Sequence, residues 1–275
     1  MPIFDRLREK VKIVYKKLNK KGLKRHNQFN GMVYAEFSDV PSELIINGYA
    51  SDKYAEYFFR RAELYSKETF QDISIAKLIV LINLLSSMSK IEVLDYGGSV
   101  GQVFWGVEKY LSSPNNVKWN VLDVAELVSI AKEKYKSNST LSFYTDVKKI
   151  NKIDILFFRQ ALQFFENYQE ALKETINSFQ PKVLYFCGVT AGQNKEYKTL
   201  LCMEGNKGLP VIIFNEEELI EFVKSIGFIM LEKFNENARI DLSNFKSLDY
   251  QLDSNGDNFT KGYIFIRKDN RQDLL

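Results

Sequence analysis

The residues with the most chemistry to offer lie in the run Asp95-Tyr96-Gly97-Gly98-Ser99-Val100-Gly101. A β-branched, apolar run leads into it from residue 91, and a helical pattern follows from residue 101. Glycines at a strand-to-helix bend let the backbone turn sharply and bring a ligand close to main-chain atoms. The spacing excludes one use of such a bend. A dinucleotide fingerprint places glycine first, third and sixth; counted from Gly97, those positions hold Gly97, Ser99 and Gln102. Counted from Asp95, the pattern is acid-x-Gly-Gly-Ser-x-Gly. The next β-branched run ends in Leu122-Asp123-Val124, 28 residues after Asp95. A carboxylate there can accept both hydroxyls of a ribose, and an apolar neighbour can pack on an adenine face. An acid at a strand end is also a common helix cap, so Asp123 gains its weight from the glycine bend beside it. A third run, Asp154 to Phe165, passes from an apolar strand into the mixed edge Arg159-Gln160-Ala161-Leu162-Gln163. That is how a strand opens onto a pocket, while Phe157, Phe158, Phe164 and Phe165 read mostly as core.

Such groups need a sheet to hold them in register. From residue 91 onward, short strand-like runs near 91–96, 117–123, 141–144, 153–158, 183–187, 229–234 and 262–267 alternate with helical patterns near 101–111, 124–136, 167–178 and 215–226. Alternation of this kind requires crossover connections and a mainly parallel sheet. Gln180-Pro181 ends one helix, because proline cannot continue it. Asn215 with Glu218 forms a capping pair at the start of another, and Gly227 caps its end. Upstream, residues 32–90 read as mostly helical, with helices near 51–66 and 72–88. The apolar stretch 73–85 is interrupted by Ser74, Lys77 and Asn83 and is shorter than the roughly 20 residues a bilayer crossing needs. It reads as a buried helix. Three segments are expected: 1–31, a basic amphipathic helix and linker; 32–90, a helical extension; and 91–270, the α/β domain.

Composition fits a globular chain: 45% hydrophobic, 27% charged and 275 residues long. The net charge of +3 is unevenly spread. Residues 1–27 carry +8, which leaves −5 on the remaining 248 residues. Within that tail, Ile3/Phe4, Leu7, Val11, Val14/Tyr15 and Leu18 form a helical apolar stripe. It packs on the body or forms a homo-oligomer arm, or else lies on anionic lipid. No aromatic–basic interleaving accompanies the charge, so nucleic acid is not expected as a partner. Two cysteines without CxxC spacing fit a reducing compartment, and no apolar run follows the N-terminal charges as in a signal peptide. The cytoplasm is expected, with peripheral membrane contact through residues 3–18 as the variant.

In order and content, residues 91–235 resemble the class I, Rossmann-like methyltransferases that use S-adenosylmethionine. The resemblance rests on the glycine bend, the acid after the second strand, and the blocks Asp-Ile-Leu-Phe…Ala-Leu-Gln-Phe, Gln-Pro-Lys-Val-Leu-Tyr-Phe and residues 214–228. A narrower similarity is to an uncharacterised bacterial group associated with surface-polysaccharide gene clusters. It shares Gly48-Tyr49, Asp-x-Gly-Gly-Ser-x-Gly, Trp119 and Leu162-Gln163-Phe164. Two departures stand out: Ser99 replaces the middle glycine of the superfamily pattern, and Asp123 replaces the narrower group's usual Glu. The resemblance implies a Rossmann-like seven-stranded sheet flanked by helices, with an N-terminal helical extension. It implies that Asp95, Gly97, Gly98, Ser99 and Gly101 surround the methionyl part of the cofactor. Asp123 would hold the ribose, Val124 the adenine, and Asp146 would reach the adenine amino group. The backbone at Arg159 and Gln160 would meet the amino end, and Gln163 would face the acceptor.

Methyl transfer asks the protein chiefly to orient two reactants. No metal is expected, since the sole histidine, His26, sits in the basic tail and makes no ligand cluster. A hydroxyl acceptor would draw on an Asp, Glu or Tyr as base; a carboxamide such as Gln163 can orient it but cannot take its proton. The expected activity is methyl transfer to a hydroxyl of a small molecule or sugar. The alternative is a fold that has lost catalysis and serves as a scaffold tethered by its basic helix.

Overall fold

The computed structural model of the chain describes residues 26–46, 52–67, 72–242, 244–247 and 259–270. The basic segment 3–18 and the Gly48-Tyr49 pair lie outside the described residues. A short strand, β1 (His26–Gln28), opens the described chain. It occupies part of the stretch that reads as linker. Residues 29–46 then run without an α-helix, carrying only the 3-10 turns Phe37–Asp39 and Ser42–Leu44. Two helices follow, α1 (Asp52–Lys67) and α2 (Ile73–Ser86). Next come β2 (Ile91–Tyr96), α3 (Gln102–Val107), β3 (Val117–Leu122), α4 (Ala125–Lys134), β4 (Leu141–Tyr144) and β5 (Ile155–Arg159). After these come α5 (Tyr168–Phe179), β6 (Val183–Val189), β7 (Ala191–Gly192), β8 (Tyr197–Glu204) and β9 (Lys207–Asn215). The chain closes with α6 (Glu216–Ser225), β10 (Phe228–Asp241) and β11 (Phe259–Arg267).

Seven strands lie in the order β10-β11-β6-β5-β2-β3-β4, and β1 adds an eighth beside β10. In this sheet β11 alone runs against its neighbours. The fold is thus the expected Rossmann-like sheet flanked by helices, extended at one edge. From β2 the chain winds outward through β3 and β4, then returns across to β5. The direction of winding reverses between β2 and β5, and a crevice at their carboxyl ends is where such a sheet offers a binding site. A second, three-stranded sheet, β7-β9-β8, stands apart from the first. Its β8–β9 hairpin turns at Gly205-Asn206 and is bridged by Phe29, Tyr34 and Ile45 of the N-terminal stretch.

Local sequence sets these boundaries. Asp72 caps α2 by accepting from the Ser74 N–H at 3.0 Å. Asn215 does the same for α6, accepting from Glu218 N–H at 2.9 Å. Gln180, with φ +52°, closes α5 ahead of Pro181. Helix α2 is buried almost along its whole length, with Ile75, Ala76, Leu78 and Ile82 at 0% exposure, as its apolar run requires. No helix among the described residues is long and apolar enough to cross a membrane.

Buried polar groups interrupt the core. On α2, Lys77 reaches Glu232 of β10 at 2.6 Å while its ammonium stands 5.0 Å over the Phe234 ring. On β2, Asp95 is wholly buried and accepts at 3.3 Å from the indole N–H of Trp119, itself fully buried on β3. Burial pushes the Asp95 carboxyl up to about 7, against the opposing pull of Trp119 and Arg159. Glu236 is also pushed up to about 7, again chiefly by burial.

Two outcomes follow. Removing one charge of the Lys77–Glu232 pair strands the other in the core. Glu232→Gln should cost about 2 kcal/mol in urea unfolding, below the ~3–5 kcal/mol of fully buried pairs because Glu232 keeps some solvent. The double change Lys77→Met/Glu232→Gln should recover most of that loss; a double variant no more stable than the single one would refute the account. Asp95 governs a pH dependence. Its carboxyl ionises near 4 unfolded and near 7 folded, so the fold holds its proton more tightly. Its contribution is fully present below about pH 4 and is lost as pH rises to about 7. Relative to the wild type, Asp95→Asn should therefore gain stability as pH is raised across that window. Parallel stability curves for the two proteins would contradict this.

Candidate functional site

The bend after β2 is held by three backbone features. Gly97 takes φ +71°, and its N–H donates to Leu122 O of β3 at 2.8 Å. A Cβ on Gly98 would lie 2.4 Å from Cγ of Asp95, so only glycine lets the loop fold down over the buried carboxyl. Ser99 sits at φ +56°, a left-handed conformation that costs a non-glycine residue roughly 1–2 kcal/mol. Its N–H donates to Asp123 Oδ2 at 2.6 Å, and the Val124 N–H donates to Oδ1 at 2.7 Å. Asp123 is thereby fixed at the tip of β3 with one backbone donor on each oxygen. A carboxylate accepts about four hydrogen bonds, so both oxygens keep capacity for hydroxyl donors. Burial raises the Asp123 carboxyl, and these two N–H bonds oppose the rise.

Across the crevice, β5 ends at Arg159, whose guanidinium pairs with Asp72 at 2.5 Å. Gln160 follows at φ +54°, its N–H donating to Cys187 O at 2.8 Å. Gln163 lies in the turn Leu162–Phe164 and is 5% exposed. Between these walls is a cavity of about 380 Å³, within the range of small-molecule sites. It is lined by Gly97, Ser99, Gln102, Asp123, Leu127, Arg159, Gln160, Gln163 and Phe164, together with Tyr54, Tyr57, Phe58 and Arg61 of α1 and Leu201, Cys202 and Met203 of β8.

Five buried atoms on this lining have no hydrogen-bond partner among the described residues: Arg61 Nε, Ser99 Oγ, Gln102 Oε1, Arg159 Nη1 and Gln163 Oε1. Leaving a buried polar group unmet costs about 1–3 kcal/mol each. Their gathering on one cavity is the signature of a polar ligand. Of the buried carboxyls raised above their usual range, Asp123 lies on this lining, as such groups often do at functional sites.

Of the residues singled out from sequence, Gly97, Ser99, Asp123, Arg159, Gln160 and Gln163 meet at the cavity. Asp95, Gly98 and Gly101 do not line it. Asp95 lies beneath the loop, and a Cβ on Gly101 would meet Leu141 at 3.3 Å. Val124 is largely exposed and stands outside the lining. Asp146 is exposed as well; its Oδ1 caps the turn Val147–Lys149 by accepting from Lys148 N–H at 2.9 Å. Arg159 enters with its side chain as well as its backbone. Sequence reasoning expected the segments 32–90 and 188–214 to shape the acceptor's pocket, and α1 and the hairpin do line the cavity, but it singled out none of their residues and missed Gln102. The α1 set had a signal: positions 54, 57, 58 and 61 share one helical face. No group of three metal-ligating side chains occurs among the described residues.

No protein-family model matches the sequence, and no curated protein does. Solved structures resemble it at low identity. One is an N1-methyltransferase from Burkholderia thailandensis with bound 1,6-didemethyltoxoflavin and S-adenosylhomocysteine: 12% identity, TM-score 0.49, covering 78% of this chain and 85% of that one. Another is magnesium protoporphyrin IX methyltransferase from Synechocystis with bound S-adenosylhomocysteine: 11% identity, TM-score 0.46, 78% and 96% coverage. A third is an S-adenosylmethionine-dependent methyltransferase from Clostridium acetobutylicum: 13% identity, TM-score 0.45, 78% and 99% coverage. Likeness at this level says nothing of substrate or chemistry, which rest on the site itself.

Proposed function

We propose that the chain binds S-adenosylmethionine in the crevice between β2 and β5 and transfers its methyl group to a hydroxyl of a small molecule or sugar. The observation that carries this reading is Asp123: a carboxylate pinned by two backbone N–H groups at a strand tip, beside a glycine bend, on the wall of a cavity of nucleotide size. The donor set fits the cofactor. Asp123 suits ribose hydroxyls, the unmet Arg159 Nη1 suits a carboxylate, and Ser99 Oγ and Gln102 Oε1 suit an ammonium or hydroxyl. The glycine spacing that fails for a dinucleotide agrees. When bound, the cofactor supplies a methyl group on a positively charged sulfur, open to in-line attack.

The chain's own part is positioning. Gln163, buried between the two walls with its Oε1 free, accepts from an acceptor hydroxyl and aims it at the crevice. Tyr54, Tyr57 and Phe58 give the acceptor flat, partly apolar walls and displace water. The similarity noted for the sequence favours acceptors of surface-glycan assembly.

Calorimetry tests the first half. S-adenosylmethionine should bind with a Kd on the order of micromolar, and Asp123→Ala should weaken it about 10- to 100-fold, the loss expected for charge-assisted bonds. NAD should give no heat. No heat with S-adenosylmethionine would end this reading and leave a scaffold. The second half needs an acceptor, found by screening with labelled methyl donor. With it, Gln163→Leu should lower kcat about 10- to 100-fold through misorientation while cofactor affinity changes less than about twofold. Equal loss of both would move Gln163 to the cofactor.

A further inference from the structure

We infer that Arg61 anchors an anion carried by the methyl acceptor, so that the acceptor is a carboxylate- or phosphate-bearing molecule. This rests on the methyl-transfer reading above and deepens it. Arg61 projects from the α1 face that also carries Tyr54, Tyr57 and Phe58 into the cavity. Its guanidinium stands 5.7 Å from the Tyr57 ring centre and 5.2 Å from that of Tyr65. Its N–H groups donate to the Tyr57 hydroxyl at 3.4 Å and to the Tyr65 hydroxyl. These are neutral oxygens. Nε is buried with no partner at all.

Among the described residues, the nearby carboxylates are engaged elsewhere. Glu56 pairs with Arg60, Glu63 with Lys67 and Asp72 with Arg159. Glu204 accepts from the Tyr54 hydroxyl at 3.0 Å. None of these described carboxylates pairs with Arg61; a guanidinium drawn out of bulk water without a counter-charge is costly, and an anion entering the cavity relieves that cost. Its planar fork matches the paired oxygens of a carboxylate or phosphate. Arg159 differs in both respects that matter. It already has Asp72, and it stands at the end of β5 beside the glycine bend, where its free Nη1 can serve the cofactor's own carboxylate. Arg61 is then left for the acceptor, with Tyr57 and Phe58 flanking the acceptor's ring or chain.

The test uses the full chain saturated with S-adenosylhomocysteine and titrated by calorimetry with benzoate, phenyl phosphate and the neutral benzyl alcohol. At least one anion should bind about tenfold more tightly than the alcohol, and Arg61→Met should remove that advantage. Arg61→Lys should keep part of it, and both variants should melt near the wild type. Preference for benzoate assigns a carboxylate; preference for phenyl phosphate assigns a phosphate. S-adenosylhomocysteine affinity should change less than about twofold. Anions binding the wild type no better than the alcohol would overturn the inference. So would Arg61→Met weakening S-adenosylhomocysteine about tenfold while sparing methylthioadenosine, which lacks the amino-acid half: the guanidinium would then belong to the cofactor. Failure of S-adenosylhomocysteine to bind the wild type sinks the methyl-transfer reading separately, and the anion titrations repeated without it still report on Arg61.

Discussion

The site depends on one carboxylate bonded to two strands' worth of backbone. Asp123 sits where β3 ends, yet one of its oxygens holds Ser99, which belongs to the loop of β2. Ser99 is in a conformation that its side chain disfavours, and a charge-assisted bond of 2.6 Å offsets that strain. The neighbouring Gly97–Leu122 bond ties the same loop to the same strand end. Loop position is therefore set by the pairing of β2 with β3, where Tyr96 stands opposite Leu122. Sheet register becomes cavity shape with no flexible element between them.

Charge burial follows the same geometry. Asp95 ends up wholly inside, and Arg159 mostly so, because they stand at the carboxyl ends of adjacent central strands, β2 and β5. Each is met by a group from another element: Trp119 from the neighbouring strand β3 and Asp72 from the cap of α2. Asp72 thus has two tasks, since it also accepts the Ser74 N–H in the first turn of its own helix. Glu236 adds a third buried charge nearby, bonded by the Gly188 N–H at 2.5 Å and the Thr260 hydroxyl at 3.0 Å. Stability has been yielded here to keep polar groups beside a cavity.

The main sheet and the nucleotide wall were legible because they rest on local patterns. Short β-branched, apolar runs marked the central strands, and Asn215 and Gln180-Pro181 marked helix ends where the structure has them. The glycine bend and Asp123 were legible because their chemistry is compact in sequence. Three things were not. The stretch 29–46 mixes apolar and polar residues without a clear period; it takes its shape from bridging the hairpin, a long-range pairing. The hairpin itself was passed over, although Gly205-Asn206 is a turn pair, because Pro210 and the charged ends of its strands dilute the alternation. The far wall could not be assembled, because α1 and Met203 come together only through the tertiary fold.

That hairpin is supported at both ends. Near its base, Lys198 lies between Glu36 and Glu166, and Glu166 also receives the Phe37 N–H at 2.6 Å. Near its tip, Glu204 is joined to Tyr54 of α1. A beam fixed at each end resists bending in its middle, and the middle is where Leu201, Cys202 and Met203 face the cavity. The span between supports, more than the size of any one side chain, caps the bulk of molecule that can enter. Widening the chamber would mean lengthening the beam or releasing one of its bearings.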